Sequence, residues 1–541
     1  MPPRKRTRLK WLLPLWLTAA LLLSAGWYVQ AQDTARATPA AQPAAPAAQP
    51  AAATPAGDPA SPVNEVAREG QEPTSGVVAE GAQPGPAVAN PVSAAQRARV
   101  AREEAEGGTL AQRAVSFLGL LVFIAMAWGM SVNRRVVAWR VVLWGVGLQF
   151  IFALLILKTS PGRWVFEQLN YMFTSLLGYT EQGARFVFGN LVLNNVPVGP
   201  AGGPMDPVAA TGTWANTGAY FAFSVLPTII FFSSLMTLLY YFGVMQLLVR
   251  GFAWVMIRTM GTSGSESLSA AGNIFLGQTE APLLVKPFVK TMTKSELHSV
   301  MTGGFATVAG GVMAAYVGML MTYFPNIAGH LIAASVMSAP AALAISKVMY
   351  PETEESPTRG EMKIELEKVD ANAVDAAARG ASEGLSLALN VAAMLMAFIA
   401  LLALLNGIVH GVFGLFGMDV TIQKILGYVG APLAWLMGTP WQDAQAVGTL
   451  IGEKTALNEF VAYLHLAEML QSGQELSARA IVIATYALCG FANFSSIAIQ
   501  IGGIGGLAPE RRADLSRLGF RAMIAGTLAS FMTACVVGIL L

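Results

Sequence analysis

Two short stretches of this sequence place carboxylates between long apolar segments. The first, GQTEAPLLVKP, carries Glu280, and the second, ALNEFVAY, carries Glu459. Charged side chains inside a membrane are costly and are kept mainly where they bind a solute, an ion or each other. We therefore predict that both carboxylates are functional. The structural alternative is that each forms a buried ion pair with a nearby lysine, Lys286 or Lys454.

The prolines of the first stretch restrict its backbone. Pro282 and Pro287 have no amide donor and clash with the preceding turn, so one continuous helix cannot cross the stretch. In lipid, a broken backbone is tolerated only where protein covers it or where it lines a wet cavity. We predict a re-entrant helical hairpin at about 264–290 and a second one at about 440–468.

Neutral polar residues accompany the two acids. The stretches and the later motif CGFANFSSI contribute Gln278, Thr279, Asn458, Asn493, Ser495 and Ser496. Buried polar atoms need matched partners, so this set suits a ligand that carries several hydroxyl and amide-like groups. A fatty or purely ionic solute would fit poorly.

The sequence gives little support to an enzyme. It contains no Walker loop, no catalytic triad and no HExxH spacing among its four histidines, and both cysteines lie in apolar surroundings. An enzyme would have to use Glu280 and Glu459 as an acid and base pair, and it would return an altered product. A passive pore or sensor is a third alternative, and it would not concentrate its solute.

Composition places the chain in a membrane. Of its 541 residues, 54% are apolar and 12% are charged, and the net charge of +2 gives no reason to expect a nucleic acid partner. Eight segments approach or exceed the length of about 20 residues that spans hydrocarbon. They lie at 113–132, 136–158, 218–247, 300–322, 328–349, 384–409, 478–502 and 519–541. We predict an all-α integral membrane protein with about eight transmembrane helices and two re-entrant hairpins.

The N-terminal part has a different character. Residues 1–31 combine a basic start, an apolar core and a small-residue cleavage site, which is typical of a signal peptide; an uncleaved helix is the alternative. Residues 32–107 are rich in Ala, Pro and Gln, and we predict a disordered periplasmic tail. Between the spans, we predict an interfacial helix at 163–188 and an extramembranous loop at 194–213.

Two parts of the chain resemble each other. GGFATVAGG at 303–311 matches CGFANFSSI at 489–497, and each follows a predicted hairpin. A duplicated unit accounts for both matches, and an odd number of crossings between the copies would make the repeat inverted, as in many secondary transporters. The resulting domain prediction is N-terminal scaffold helices at 108–217, a first repeat at 218–350, a cytoplasmic or interfacial linker at 351–383 and a second repeat at 384–541.

Three motifs, GNIFLGQTEAPLLVKPF, ALNEFVAY and ALCGFANFSSIAIQIGG, resemble signature regions of the concentrative nucleoside transporter family. The resemblance covers about residues 113–541. It implies a homotrimer of the inner membrane in which each protomer imports a nucleoside by an elevator-type movement of a transport domain against a scaffold. Sodium is the implied coupling ion, and proton coupling is the alternative because proton-coupled relatives exist. Purine or pyrimidine preference is left open.

The resemblance also implies roles for individual residues. It assigns nucleobase contacts to Gln278, Thr279, Glu280, Val312 and Phe491. It assigns ribose contacts to Glu459, Asn493 and Ser496. It assigns the sodium site to Asn273, Leu276, Thr307 and Val308, partly through their backbone carbonyls.

Overall fold

The computed structural model describes residues 108–193, 195–197, 214–216, 221–359, 370–418 and 420–541. The predicted signal peptide at 1–31 and the predicted tail at 32–107 lie outside the described residues, as does most of the predicted loop at 194–213. Within the described part, the chain is helical apart from one pair of three-residue strands. The all-α class expected from the sequence is confirmed.

Three long helices come first. They are α1 (Leu110–Gly129), α2 (Trp139–Lys158) and α3 (Ser160–Phe188), and the strands β1 (Asn195–Pro197) and β2 (Trp214–Asn216) follow them. Helix α1 starts with a capping box, because Thr109 Oγ1 accepts from the Gln112 amide and the Thr109 amide donates to Gln112 Oε1 at 2.9 Å. Helix α3 occupies the predicted position of the interfacial helix.

The middle of the chain contains the first hairpin. Its helices are α4 (Phe221–Ser224), α5 (Leu226–Tyr241), α6 (Val244–Met260), α7 (Gly264–Gly272), α8 (Lys286–Val289), α9 (Lys294–Ala306), α10 (Gly310–Leu320) and α11 (Ile327–Met349). Between α7 and α8 the chain makes an irregular turn and a short 3₁₀ segment, Ala281–Val285, which contains Pro282. The first hairpin therefore consists of two short arms, and its tip is not α-helical. Thr307 to Ala309 separate α9 from α10.

The last third repeats this order of elements. Its helices are α12 (Ala373–Gly414), α13 (Ile422–Leu436), α14 (Trp441–Ala456), α15 (Glu459–Gln471), α16 (Ala478–Leu488), α17 (Phe494–Leu507) and α18 (Arg512–Leu540). Helices α14 and α15 form the second hairpin, with Leu457 and Asn458 at its tip. Residues 489–493 separate α16 from α17, as residues 307–309 separate α9 from α10. A hairpin followed by a broken helix thus occurs twice.

The structure corrects several predicted boundaries. The predicted span at 218–247 extends too far, because α5 ends at Tyr241 and α6 begins at Val244 after a left-handed Gly243 with φ of +82°. Helix α12 begins at Ala373, inside the predicted linker at 351–383. Helix α13 lies where no element was predicted, and the second hairpin extends past 468 to Gln471.

The number of predicted spans agrees well with the structure. Within the described part, seven helical stretches are long and apolar enough to cross a membrane, and they coincide with seven of the eight predicted spans. The eighth prediction, 478–502, corresponds to the two shorter apolar helices α16 and α17. A break in a membrane helix exposes backbone groups, which must then be satisfied by the surrounding protein.

The two helix breaks contact each other directly. The Phe491 amide donates to the Thr307 carbonyl at 3.3 Å. Gly490 has φ of +135°, a conformation that is essentially restricted to glycine, and a Cβ there would lie 2.7 Å from the Phe305 carbonyl oxygen. Glycine is therefore required at this crossing for two independent reasons. The contact joins the segment before α10 to the segment before α17.

A buried ion pair attaches the first hairpin to α11. Lys347 Nζ lies 2.7 Å from Glu266 Oε2, and the two side chains are only 5% and 3% exposed. Lys347 also donates to Ser295 Oγ at 2.9 Å, on α9. Breaking a buried pair leaves an uncompensated charge, so these contacts fix the position of α7 relative to α9 and α11.

Close helix packing positions the second hairpin. A Cβ at Gly430 of α13 would lie 2.3 Å from the Gly448 carbonyl oxygen of α14. Small residues let membrane helices approach until their backbones touch, which maximises dispersion contacts where no hydrophobic driving force exists. The first arm of the hairpin is thereby held against α13.

Candidate ligand site between the two hairpins

A cavity of about 130 Å³ lies where the tips of both hairpins meet the two helix breaks. The eight side chains that the sequence analysis assigned to ligand contact all line it, namely Gln278, Thr279, Glu280, Val312, Glu459, Phe491, Asn493 and Ser496. They come from four separate parts of the chain. The structure brings them around one space, and their individual roles stay predictions.

Glu459 is held rigidly at the start of α15. The Tyr316 hydroxyl donates to its Oε1 at 3.0 Å and the Asn493 side-chain amide donates to its Oε2 at 3.0 Å. Tyr316 is itself stacked on Tyr463, with ring centroids 4.2 Å apart. Both carboxylate oxygens keep further lone pairs, so the carboxylate can still accept hydrogen bonds from a ligand.

Helix capping determines which way Asn493 points. As the N-cap of α17, its Oδ1 accepts from the Ser496 amide at 2.9 Å and from Ser495 Oγ at 2.7 Å. The opposite end of the same amide must therefore face Glu459 as a donor. Asn458 caps α15 in the same way, accepting from the Val461 amide at 2.9 Å. Capping side chains thus orient the polar groups of the cavity.

A chain of side-chain hydrogen bonds connects the first hairpin to α17. Gln278 Nε2 donates to Ser496 Oγ at 3.2 Å, and Gln500 Nε2 donates to Gln278 Oε1 at 3.1 Å and to the Met301 carbonyl at 3.1 Å. Gln500 was not among the predicted site residues, although it lies one helical turn after Ser496 and therefore on the same face of α17. This chain fixes the amide of Gln278 at the cavity wall.

The other acid, Glu280, is in a different environment. Glu280 is an exposed residue that lines the cavity, and its carboxylate accepts from Thr279 Oγ1 at 3.1 Å. The ion-pair alternative is wrong for the described residues, because neither Glu280 nor Glu459 lies within 4 Å of Lys286 or Lys454 Nζ. Lys454 instead donates to the Ala487 carbonyl.

One wall of the cavity is entirely apolar, and the sequence analysis did not assign it. It comes from α12, which contributes Leu387, Val391, Met394 and Leu395. Hydropathy gave no signal for this wall, because these residues look like any others on an apolar membrane helix. Tyr316 was missed for a related reason: its hydroxyl has a partner only in the folded chain.

The residues predicted to bind sodium lie beside the first helix break. Asn273, at the end of α7, is fully buried; its Nδ2 donates to the Ser269 carbonyl at 3.0 Å, and its Oδ1 has no hydrogen-bond partner. Thr307 Oγ1 donates to the Gly303 carbonyl at 2.9 Å, and a Cβ on Gly303 would lie 3.0 Å from Asn273 Nδ2. A buried amide oxygen without a partner is the type of ligand that a hard cation prefers. In the sequence, Leu276 lies three residues after Asn273, and Val308 directly follows Thr307.

Comparisons with known proteins identify the family of the chain. Residues 118–191 and 330–538 match the models of the N-terminus and C-terminus of Na⁺-dependent nucleoside transporters, and residues 222–323 match a model described as nucleoside recognition. The solved structure of CNTnw in an inward-facing substrate-bound state is 43% identical, covers 79% of this chain and 97% of that chain, and has a TM-score of 0.70. The chain belongs to the Na⁺-dependent nucleoside transporter family. A variant of CNTnw in an outward-facing state is similar as well, with a TM-score of 0.72.

Members of this family from other organisms are also similar to the chain. A transporter of Haemophilus influenzae is 46% identical over 430 residues, which cover 97% of that protein. Solute carrier family 28 member 3 and sodium/nucleoside cotransporter 1 of Mus musculus are each 44% identical over 443 residues. The chain spans 59% and 64% of the length of these two mouse proteins. The homologues are transporters and not enzymes.

Proposed function

We propose that this chain is a secondary active symporter that imports nucleosides across the inner membrane together with sodium. The observation that carries the proposal is the cavity, in which both hairpin tips and the second helix break present donors and acceptors. A nucleoside combines ribose hydroxyls with a base that carries amide-like edges, and this is the chemistry that such a lining can satisfy. The name of the mouse relative sodium/nucleoside cotransporter 1 supports both the substrate and the ion.

The ribose end of the site is proposed to be Glu459, Asn493 and Ser496. A carboxylate accepts hydrogen bonds from hydroxyl groups, and charge-assisted bonds are about twice as strong as neutral ones. Tyr316 and Asn493 hold the carboxylate from one side, which leaves its remaining lone pairs for the ligand. A ligand that lacked the ribose hydroxyls would leave a buried charge incompletely satisfied.

The base end is proposed to be Gln278, Thr279 and Glu280, with Val312 and Phe491 against the faces of the ring. The hydrogen bonds from Gln500 and to Ser496 fix the Gln278 amide in one orientation, which favours selection by hydrogen bonding. Phe491 supplies an aromatic surface next to these polar groups, and aromatic rings stack favourably on bases. The exposed carboxylate of Glu280 is free to accept from a base amine.

The sodium site is proposed at Asn273, Leu276, Thr307 and Val308. The unpartnered Oδ1 of Asn273 supports it, since a buried oxygen without a donor is otherwise costly. Broken membrane helices provide further carbonyl oxygens for such ions. Because the same hairpin carries Asn273 and Gln278, sodium binding would stabilise the arrangement of the first hairpin that contacts the base.

Elevator-type movement is proposed on the basis of how the cavity is divided. All polar lining groups belong to the hairpins and the segments around the helix breaks, whereas the α12 wall is apolar. Sliding along an apolar wall breaks no hydrogen bond, so the polar elements can move with their ligand past α12. In this proposal the hairpins and broken helices form the transport domain and α12 belongs to the scaffold.

The membrane-facing surface supports an assembly of several copies. Only 17% of the most apolar window of the 42-residue α12 is buried, and large side chains such as Leu389, Met396 and Leu404 are more than half exposed. We propose a homotrimer in which these faces meet lipid or neighbouring copies.

Uptake into sealed proteoliposomes tests the function. We expect radiolabelled uridine or adenosine to accumulate unchanged when sodium is higher outside, and accumulation to cease when choline replaces sodium. Uptake that ignores sodium but follows an imposed pH gradient would replace the coupling ion by a proton. Equilibration without accumulation would contradict a symporter.

A further inference from the structure

Lys454 has an unusual environment for a lysine. It lies on α14, in the first arm of the second hairpin, and its side chain is 0% exposed. Its Nζ donates to the Ala487 carbonyl at 2.8 Å, and no carboxylate oxygen of the described chain lies within 4 Å of it. Charges buried in membrane proteins are rare and are usually functional.

The carbonyl that Lys454 contacts belongs to a helix end. Helix α16 stops at Leu488, so the carbonyls of its last turn have no amide four residues further on. The Tyr463 hydroxyl donates to the Thr485 carbonyl at 2.7 Å, and Ser530 Oγ donates to the Cys489 carbonyl at 2.9 Å. These donors and the ammonium together satisfy the partly negative end of the half-helix.

The first repeat has a comparable helix end, and among the described residues its side-chain donors are neutral: Thr307 Oγ1 donates to the Gly303 carbonyl and Gln500 Nε2 to the Met301 carbonyl. Helix α9 stops at Ala306, and its last turn contains no basic residue. The side chain that the first hairpin provides near this end is Asn273, whose buried Oδ1 has no partner. Asn273 lies seven residues before the hairpin acid Glu280, and Lys454 lies five residues before Glu459. Each side chain lies at the C-terminal end of the first arm of its hairpin and beside the end of the helix that breaks, Asn273 near Gly303 and Lys454 at the Ala487 carbonyl.

We propose that the Lys454 ammonium is a cation, covalently part of the chain, that stabilises the second hairpin against its broken helix as a bound sodium ion stabilises the first. It joins the hairpin arm to the negative end of the broken helix, so the second hairpin needs no ion to hold its ligand groups near Asn493. One consequence is that a nucleoside binds with a single coupled sodium. This inference rests on the proposed function of the site.

Linkage measurements on purified protein test the inference. Uridine affinity is titrated by calorimetry at a series of sodium concentrations, with choline keeping the ionic strength constant. The slope of log Kd against log sodium concentration counts the ions bound together with the nucleoside, about one per coupled ion. The variants are Lys454→Asn, which copies the oxygen ligand of the first hairpin, Lys454→Met, and the charge-preserving Lys454→Arg.

We expect a slope of magnitude about one for the unmodified chain and for Lys454→Arg. Lys454→Asn opens space for an ion, and its slope rises towards about two with weaker uridine binding at low sodium. Lys454→Met can recruit no ion, and its uridine affinity falls by about tenfold at every sodium concentration, because buried carbonyls lose their partner. The melting temperature in sodium without nucleoside provides a second readout, and only Lys454→Asn should gain extra sodium stabilisation.

Specific results would overturn the inference. A slope of about two in the unmodified chain means that a second ion binds in spite of the lysine, and it decides the question even if no variant folds. Wild-type affinity and sodium dependence in Lys454→Met would show that the ammonium is dispensable. Failure of the unmodified chain to bind uridine at all would instead refute the proposed function, so the two failures are distinguishable.

Discussion

Replacing Glu459 by glutamine isolates the role of its charge. The variant keeps the size of the side chain but substitutes a donor for one of the carboxylate oxygens. Asn493 cannot reverse its amide to accommodate that donor, because its Oδ1 caps α17 through the Ser496 amide. The glutamine must therefore direct its oxygen to Asn493 and its NH₂ group to the Tyr316 hydroxyl.

The expected loss follows from these contacts. One bond to a ribose hydroxyl changes from charge-assisted to neutral, which costs about 1 kcal/mol, and a second hydroxyl loses its acceptor, which costs about 2 kcal/mol. The sum of about 3 kcal/mol corresponds to uridine binding that is about 100-fold weaker. The neutral side chain also removes a buried charge, so we expect folding stability to be retained.

The assay compares uridine with 2′,3′-dideoxyuridine, which lacks the 2′- and 3′-hydroxyls of the ribose. Calorimetry on purified protein gives the four affinities of the two proteins for the two ligands, and their double difference measures the coupling between the carboxylate and the hydroxyls. Glu468→Gln is the matched control, because it makes the same substitution on the exposed side of the same helix α15.

Two results would refute this reasoning. The first is uridine binding by Glu459→Gln within about twofold of the unmodified chain, since a loss of about 3 kcal/mol is expected. The second is an unchanged preference for uridine over the dideoxy ligand in the variant, which would place the ribose elsewhere. Equal losses in Glu459→Gln and Glu468→Gln would indicate an effect of total charge instead of a contact.

Three further variants test other parts of the site. Asn273→Ala removes one oxygen ligand and should raise the sodium concentration for half-maximal uptake by about tenfold. The control Asn273→Asp keeps an oxygen at this position. An unchanged sodium response in the alanine variant would mean that the ion binds elsewhere. Tyr316→Phe removes the donor to Glu459 and should weaken uridine binding by about tenfold. The control Tyr428→Phe makes the same change at an exposed residue. Equal uridine affinities of the two variants in calorimetry would contradict a role of the Tyr316 hydroxyl in binding. Gly490→Ala should lower the free energy of unfolding by about 1–3 kcal/mol because of its backbone conformation. The control Gly506→Ala should not, since a Cβ there meets nothing within 4 Å. Similar melting temperatures of the two variants would contradict backbone strain at Gly490.

Much of the candidate site was accessible from the sequence because its polar groups are conspicuous. Glu280 and Glu459 stand out in apolar surroundings, and prolines beside the first acid exclude a continuous helix. The repeated Gly-Phe-Ala motif indicated a duplication, but it did not reveal the helix breaks, because the predicted spans at 300–322 and 478–502 run through both of them. Each of these signals is local, so a few neighbouring residues were enough to detect it.

Other features depend on partners that are distant in the chain. The roles of Tyr316 and Gln500 depend on the fold, because only the folded chain places Tyr316 within hydrogen-bond distance of Glu459, and Gln500 within that distance of Gln278. Helix α6 was missed because apolar residues continue through the turn at Gly243, and hydropathy does not detect such a turn. Lys454 was considered only as an alternative ion-pair partner of the hairpin acids, but it donates to the Ala487 carbonyl at a helix end instead.

The sequence by itself determined that this protein lies in a membrane, that two interrupted segments carry its acids, and which polar residues belong to those segments. These properties follow from hydropathy and from the backbone limits of proline and glycine, which act over a few residues. Only the tertiary structure decided that the two helix breaks cross at Gly490, that α12 closes the cavity with an apolar wall, and that the Lys454 ammonium contacts α16. Such contacts depend on how helices far apart in the chain pack, and apolar helices of similar composition can pack in many ways until side-chain shape and hydrogen bonding select one.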